Sequence, residues 1–107
     1  MGWSTQQTEK RFIGLPTGRI DEKSWEVLLG NLTRAIADAA AAKLDFALDL
    51  SGVDYMSSRG LRVLTLARRE AETHKIGFTL AKPNERMREI LAISRYDKIF
   101  KIEDSLD

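Results

Sequence analysis

The chain has no cysteine, two prolines, one histidine and no net charge to speak of. Without cysteine there is no disulfide and no thiolate zinc site. Lysine plus arginine number 17 and aspartate plus glutamate 16, so the formal charge is +1. That balance argues against a dedicated nucleic-acid binder, which carries a basic surplus. No apolar run approaches the roughly 20 residues that cross a bilayer. The first residues, Met1 to Thr8, lack the basic and apolar segments of a secretory signal, so a soluble cytoplasmic protein is the expectation. Gly-x-Ser-x-Gly elbows, P-loops and dinucleotide fingerprints are missing. A Ser-His-Asp triad would have to use His74, and no histidine–carboxylate cluster has metal-ligand spacing. No catalytic residue, metal or cofactor is therefore expected.

What is present fits one domain over residues 1–107, long enough for a single core. The organising stretch is Asp49-Leu-Ser-Gly-Val-Asp-Tyr-Met-Ser-Ser-Arg-Gly-Leu61. Before it, residues 44–50 alternate as a strand with one strongly apolar face does. After it, the composition becomes helical from about Ser58 to Thr73, with Leu61, Leu64, Ala67 and Ala71 on one side. Ser57 and Ser58 are good N-cap residues. A hydroxyl pair at a helix N-terminus can hold an anion, or become one by phosphorylation. Most serines before helices only cap. Two serines followed by Gly60, at the carboxyl end of a central strand, make a functional turn the sharper reading.

The flanking chain supplies the frame. Residues 1–8 are expected as an edge strand or a disordered lead-in. Residues 11–15 suit a buried strand closed by the turn residues Pro16 to Gly18. Asp21 is expected to cap a first helix whose apolar face is Trp25, Leu28, Leu29, Leu32 and Ile36. The run Ala39 to Ala42 is that helix's end. Residues 75–80 form another strand, with Ile76, Phe78 and Leu80 on one face. Asn84 caps a third helix carrying Met87, Ile90, Leu91 and Ser94. Residues 99–102 form a last strand, and 103–107 an acidic tail. Asp49 and Asp54 are expected to be solvated. Arg59, Arg62, Arg68 and Arg69 are expected as a solvated basic face diluted by Glu70 and Glu72. The order β-β-α-β-α-β-α-β predicts an α/β domain, with a mixed and mainly parallel sheet of four or five strands packed with three helices.

Gly18-Arg-Ile-Asp21 before an amphipathic helix, Leu48-Asp-Leu-Ser-Gly-Val53, Tyr55-Met-Ser-Ser-Arg-Gly-Leu-Arg-Val-Leu64 and Ile90-Leu-Ala-Ile-Ser-Arg-Tyr-Asp-Lys-Ile99 together resemble an STAS domain. The similarity is to bacterial anti-sigma factor antagonists, from about Lys10 to Ile102. It implies a substrate and ligand without catalysis of its own. Its partners would be an anti-sigma factor that is also a serine kinase of the histidine-kinase-like ATPase type, and a PP2C-type phosphatase, with neither nucleic acid nor membrane. The family's turn runs aspartate, target serine, small hydroxyl residue, glycine, leucine. Here Ser57 stands in the aspartate place, Ser58 in the target place, Arg59 in the small-residue place, and Gly60-Leu61 match. The resemblance implies phosphorylation at Ser58 and partner contacts at Asp21, Ser57, Ser58, Arg59, Gly60 and Arg62. The departures at Ser57 and Arg59 keep open a second reading, a phosphorylation-independent adaptor that binds a transporter ATPase or another protein machine.

Overall fold

The computed structural model describes residues 1–106. The last residue of the acidic tail, Asp107, lies outside the described residues. The elements run β1 (Gly2–Gln7), β2 (Arg11–Ile20), α1 (Trp25–Ala41), β3 (Asp45–Asp49), β4 (Val53–Met56), α2 (Ser58–Thr73), β5 (Phe78–Ala81), α3 (Glu85–Ile93), a 3-10 turn (Tyr96–Lys98) and β6 (Lys101–Glu103). Six strands form one sheet, ordered β1-β2-β3-β5-β6, with β4 pairing β2 off that path. β1 is antiparallel to β2 and every other pairing is parallel. The α/β architecture with three helices is as expected. The additional strand is β4.

Sequence boundaries move in three places, one of them the strand expected over residues 75–80, which occupies Phe78–Ala81 as β5. β2 does not stop at Pro16 but runs on to Ile20. Its partner changes instead: β3 lies beside it through Gly14, and β4 begins at Gly18. Pro16 falls in the gap, where its missing N–H leaves no bond unmade. Gly18, at a φ of +87°, accommodates the irregularity in register before Arg19. For residues 1–8 the edge strand, the first of the two expectations, is what forms, as β1. Trp3 lies over Gly14, where an added Cβ would meet the indole at 2.6 Å, so the large ring anchors the first strand on bare backbone. Residues 96–98 form a 3-10 turn, and the last strand starts at Lys101, leaving Ile99 exposed.

One hydrophobic cluster joins Leu28, Leu32, Ala35, Ile36 and Ala39 of α1 with Leu61, Val63, Leu64, Ala67 and Ala71 of α2 and Met87 and Leu91 of α3. Phe46, Leu48 and Leu80 enter it from the strands, whereas Ala47, Asp49 and Ala81 point to the other face, as the period of two requires. The helices are thus gathered on one face. Trp25 and Leu29, expected in the core, only flank it.

The second face carries a small apolar centre, Ile13, Ala47 and Ala81, all buried. An ion pair between Arg11 on β2 and Glu103 on β6 closes over it. The two residues lie on strands separated by β3 and β5, and the sheet's twist brings those diagonal corners within reach. Hydrogen bonding to Arg11, followed by its charge, holds the Glu103 carboxyl below its ordinary value of 4.5, against the opposing effect of burial. The start of the expected acidic tail is therefore structural.

Two outcomes follow from this packing. Leu32 is fully buried, so Leu32→Ala should destabilise the fold by about 2–5 kcal/mol in chemical denaturation. An unchanged midpoint would contradict the placement of α1. Because the folded Glu103 pKa is depressed, its stabilisation is present above pH 4.5 and fades as pH falls through the folded value. Glu103→Gln should therefore lower the melting temperature at neutral pH and flatten its decline below pH 4.5; a decline as steep as wild type would count against the pair.

Candidate functional site

The site is built where β2 and β4 end side by side. β4 delivers the chain to Ser57, whose N–H donates to the Ile20 carbonyl of β2 at 2.9 Å. Ser57 is extended at φ −75° and ψ 174°, and its Oγ accepts from Gly60 N–H at 3.2 Å. This is the N-cap expected of a serine there. The cap engages the Ser57 hydroxyl and leaves Ser58, the first helical residue, exposed. Among the described residues the N–H groups of Ser58 and Arg59 have no acceptor, as first-turn amides ordinarily lack one. An exposed hydroxyl therefore stands beside two free donors at the positive end of a 16-residue helix.

Gly60 is buried beneath this turn. A Cβ there would lie 2.5 Å from Met56 Cγ and 2.9 Å from Ile20 Cγ2. Its smallness brings the helix start down onto the ends of β2 and β4. Beside it, Arg59 pairs with Glu22 (Nε to Oε2, 3.2 Å) and lies 5.4 Å above the Trp25 ring. Trp25, Arg59, Arg62, Val63 and Leu66 line a shallow groove of about 420 Å³ between α1 and α2. Its floor is apolar and its rim carries two arginines.

Asp21 does not cap α1, contrary to expectation. The N-cap position belongs to Ser24, and the Asp21 carboxylate is spent on the preceding turn, where Oδ1 accepts from Lys23 N–H at 3.0 Å and Oδ2 pairs with Arg19 at 3.2 Å. The Lys23 amide first, and Arg19 after it, lower the Asp21 pKa. Asp21 thus shapes the loop from which Glu22 reaches Arg59, and belongs to the neighbourhood of the serine turn through that loop. Asp49 is also corrected. It is buried, not solvated, and its Oδ1 accepts from Ser51 N–H at 2.9 Å and Ser51 Oγ–H at 2.7 Å. Asp54 is exposed as expected.

Two positioning contacts were not legible in the sequence. Asn84 does cap α3, its Oδ1 accepting from Met87 N–H at 2.9 Å, but its Nδ2 also donates to the carbonyls of Ser51 and Val53 at 3.2 and 2.8 Å. It ties α3 to the loop that enters β4. No local pattern announces a contact more than thirty residues away. Tyr55 is the other, half-buried with the Arg19 guanidinium 4.2 Å and that of Arg86 5.9 Å from its ring.

His74 sits at the opposite end of α2 from Ser57, as that helix's C-cap, and pairs with Glu70 at 3.3 Å. Sixteen residues at 1.5 Å each separate it from the serines, so it cannot act on either hydroxyl. No group of three acidic or histidine side chains able to hold a metal occurs among the described residues. No described helix is long and apolar enough to span a membrane.

The Gly60 contact has a measurable consequence. Alanine is the better helix former, yet Gly60→Ala should destabilise the protein by about 1–3 kcal/mol because the methyl group has no room. A more stable variant would show that Met56 and Ile20 yield freely.

Comparison with solved structures places this geometry among relatives. An anti-sigma factor antagonist from Mycobacterium paratuberculosis superposes with a TM-score of 0.81 at 21% identity, over 99% of this chain and 87% of that one. The anti-sigma factor antagonist SpoIIAA in its unphosphorylated form gives 0.74 at 16% identity, over 97% and 89%. The phosphorylated form of SpoIIAA, a Bacillus cell fate determinant, gives 0.67 at 16%, over 97% and 92%. At these identities the likeness establishes the fold. The STAS domain family itself matches residues 7–107 in sequence. With nearly its whole length matched and each element of the fold in place, the chain belongs to the STAS domain family.

Proposed function

We propose that this protein is an anti-sigma factor antagonist that works by partner switching in the cytoplasm. In this reading it binds an anti-sigma factor, itself a serine kinase of the histidine-kinase-like ATPase type, while Ser58 is unmodified. Phosphorylation of Ser58 releases that partner, and a PP2C-type phosphatase restores the starting state. The protein is the substrate and the ligand, and contributes no catalysis.

The observation that carries this reading is the division of labour between the two serines. Ser57 is occupied as the helix cap, while Ser58 is exposed beside the free amides of the first turn. A phosphate there adds about −1.5 to −2 charges and three acceptor oxygens. The amides and the helix dipole accommodate that charge within the domain, so no refolding is needed. A partner docked over the turn must instead strip water from it, which is costly for a charge without a matching donor. Asp21, Ser57, Arg59, Gly60 and Arg62 surround or support the same surface. Solved relatives of the same fold include an anti-sigma factor antagonist in phosphorylated and unphosphorylated forms, which supports the assignment.

Arg59 favours one competing reading. A long cation engaged with Glu22 and Trp25 stands where the family has a small residue. That arrangement suits a phosphorylation-independent adaptor that uses the groove beside Trp25 to hold a transporter ATPase or another protein machine.

Incubation with ATP and the cognate kinase, followed by intact mass and peptide mapping, separates the two. Phosphate should appear on Ser58, and Ser57→Ala should still accept it, more slowly if the cap orients the turn. Ser58→Ala should bind the kinase constitutively and Ser58→Asp only weakly. Phosphate on Ser57 would refute the assignment of roles, and none on either serine would favour the adaptor.

A further inference from the structure

The sheet has two lateral edges, and only one of them is protected. At the β6 edge the strand is three residues long and carries Lys101 and Glu103. Short length and charge are the usual means of keeping an edge from recruiting another strand. The β1 edge has neither. Gly2–Gln7 reads Gly-Trp-Ser-Thr-Gln-Gln, six residues with no charge and no proline. All six pair with β2 in one unbroken register, without a bulge to twist the edge away.

The direction of its free groups can be deduced. Thr8 N–H donates to the Arg11 carbonyl at 2.8 Å, at the open end of the same ladder. Antiparallel pairing alternates, so Gly2, Ser4 and Gln6 also turn their backbone groups toward β2. The N–H and C=O of Trp3, Thr5 and Gln7 then face outward. Among the described residues they take no hydrogen-bond partner outside the strand ladder. The strand is held firmly, because Trp3 packs over Gly14. The outward row is therefore a preformed template.

We propose that β1 is a homotypic docking edge. A second copy of this chain adds its β1 antiparallel across a two-fold axis at Thr5, joining two six-stranded sheets into one. With the axis there, Thr5 opposes Thr5, Trp3 opposes Gln7 and Ser4 opposes Gln6 of the second copy. All three outward residues of each strand then both donate and accept. Moving the axis by one residue leaves only two of the three within β1 paired with each other, and a half-residue shift sets outward groups against inward ones. The side chains also agree with a second copy. Every opposed pair is uncharged, so nothing repels, and a threonine–threonine pair is favourable across strands. A strand of strong charge would find no complement on this edge. β1 and β4 lie on opposite sides of β2, so the serine turn stays free in the dimer.

Sedimentation equilibrium of the purified protein, from micromolar to millimolar, tests this first. A reversible monomer–dimer equilibrium is expected, and a monomer throughout would overturn the proposal. The second test uses the self-opposition of Thr5, which is exposed and whose replacement leaves the β2 ladder intact. Thr5→Lys and Thr5→Glu should each be monomeric at concentrations where wild type is dimeric, with unchanged circular dichroism. An equimolar mixture of the two should dimerise again, because lysine then faces glutamate. Thr5→Lys as dimeric as wild type, or a mixture that stays monomeric, would show that the strands do not meet at Thr5.

Discussion

Gly60 lies against Ile20 and Met56, and the position of the serine turn depends on that contact. Ile20 ends β2 and Met56 ends β4, so the helix start rests on two adjacent parallel strands at once. Those strands are adjacent only because β2 is shared. Its first half pairs with β3, its second half with β4, and Pro16 sits where the partner changes. Remove the sharing and β4 has no neighbour to bring Ser57 N–H to the Ile20 carbonyl. Asn84 and Asp49 secure the approach to β4 from the other direction, one holding the carbonyls of Ser51 and Val53 and the other the Ser51 amide and hydroxyl. Four side-chain hydrogen bonds thereby tie down a short, irregular connection.

Electrostatics are arranged around this turn in pairs. Arg59 faces Glu22, and Arg19 faces Asp21 while covering Tyr55. Each exposed pair is worth little to stability, about 0–1 kcal/mol. In the proposed switch, their effect would be on the surface that a partner meets, where two of the cations are already offset. A phosphate on Ser58, in that proposal, would change the surface without disturbing the core beneath it. The helix ends show the same economy of means: Lys43, Lys75 and Arg95 adopt the left-handed conformation just beyond α1, α2 and α3, where glycine is commoner. In that position each sets a cation near the negative end of a helix dipole.

Periodicity and capping chemistry made much of this legible in advance. α2 begins at Ser58 and ends at Thr73, as its flanking serines and His74 announce. α3 begins after Asn84, and the apolar faces of α1 and α2 are largely those that helical spacing picks out. The misplacements share a cause. Pro16 and Gly18 are turn residues by propensity, yet in a strand whose neighbour changes they satisfy the local geometry better than other residues would. Val53 to Met56 is too short for alternation to register, and becomes a strand only because β2 offers a free edge. Asp49 and Asp54 are equivalent in sequence terms. One is buried because its strand lies at the centre of the sheet, and the other is exposed on a short strand off the main path.

By itself the sequence determined the kind and order of the helices, the alternation that builds a parallel sheet, and the pair of serines at a helix start. These follow from interactions between residues a few positions apart, which local pattern records. Tertiary structure alone decided which acid is buried, that Arg11 reaches Glu103 across the sheet, and that one edge strand is left bare. Those outcomes depend on residues brought together from distant parts of the chain. Burial and hydrogen-bond partnership are properties of that assembled neighbourhood, and no short window of sequence contains it.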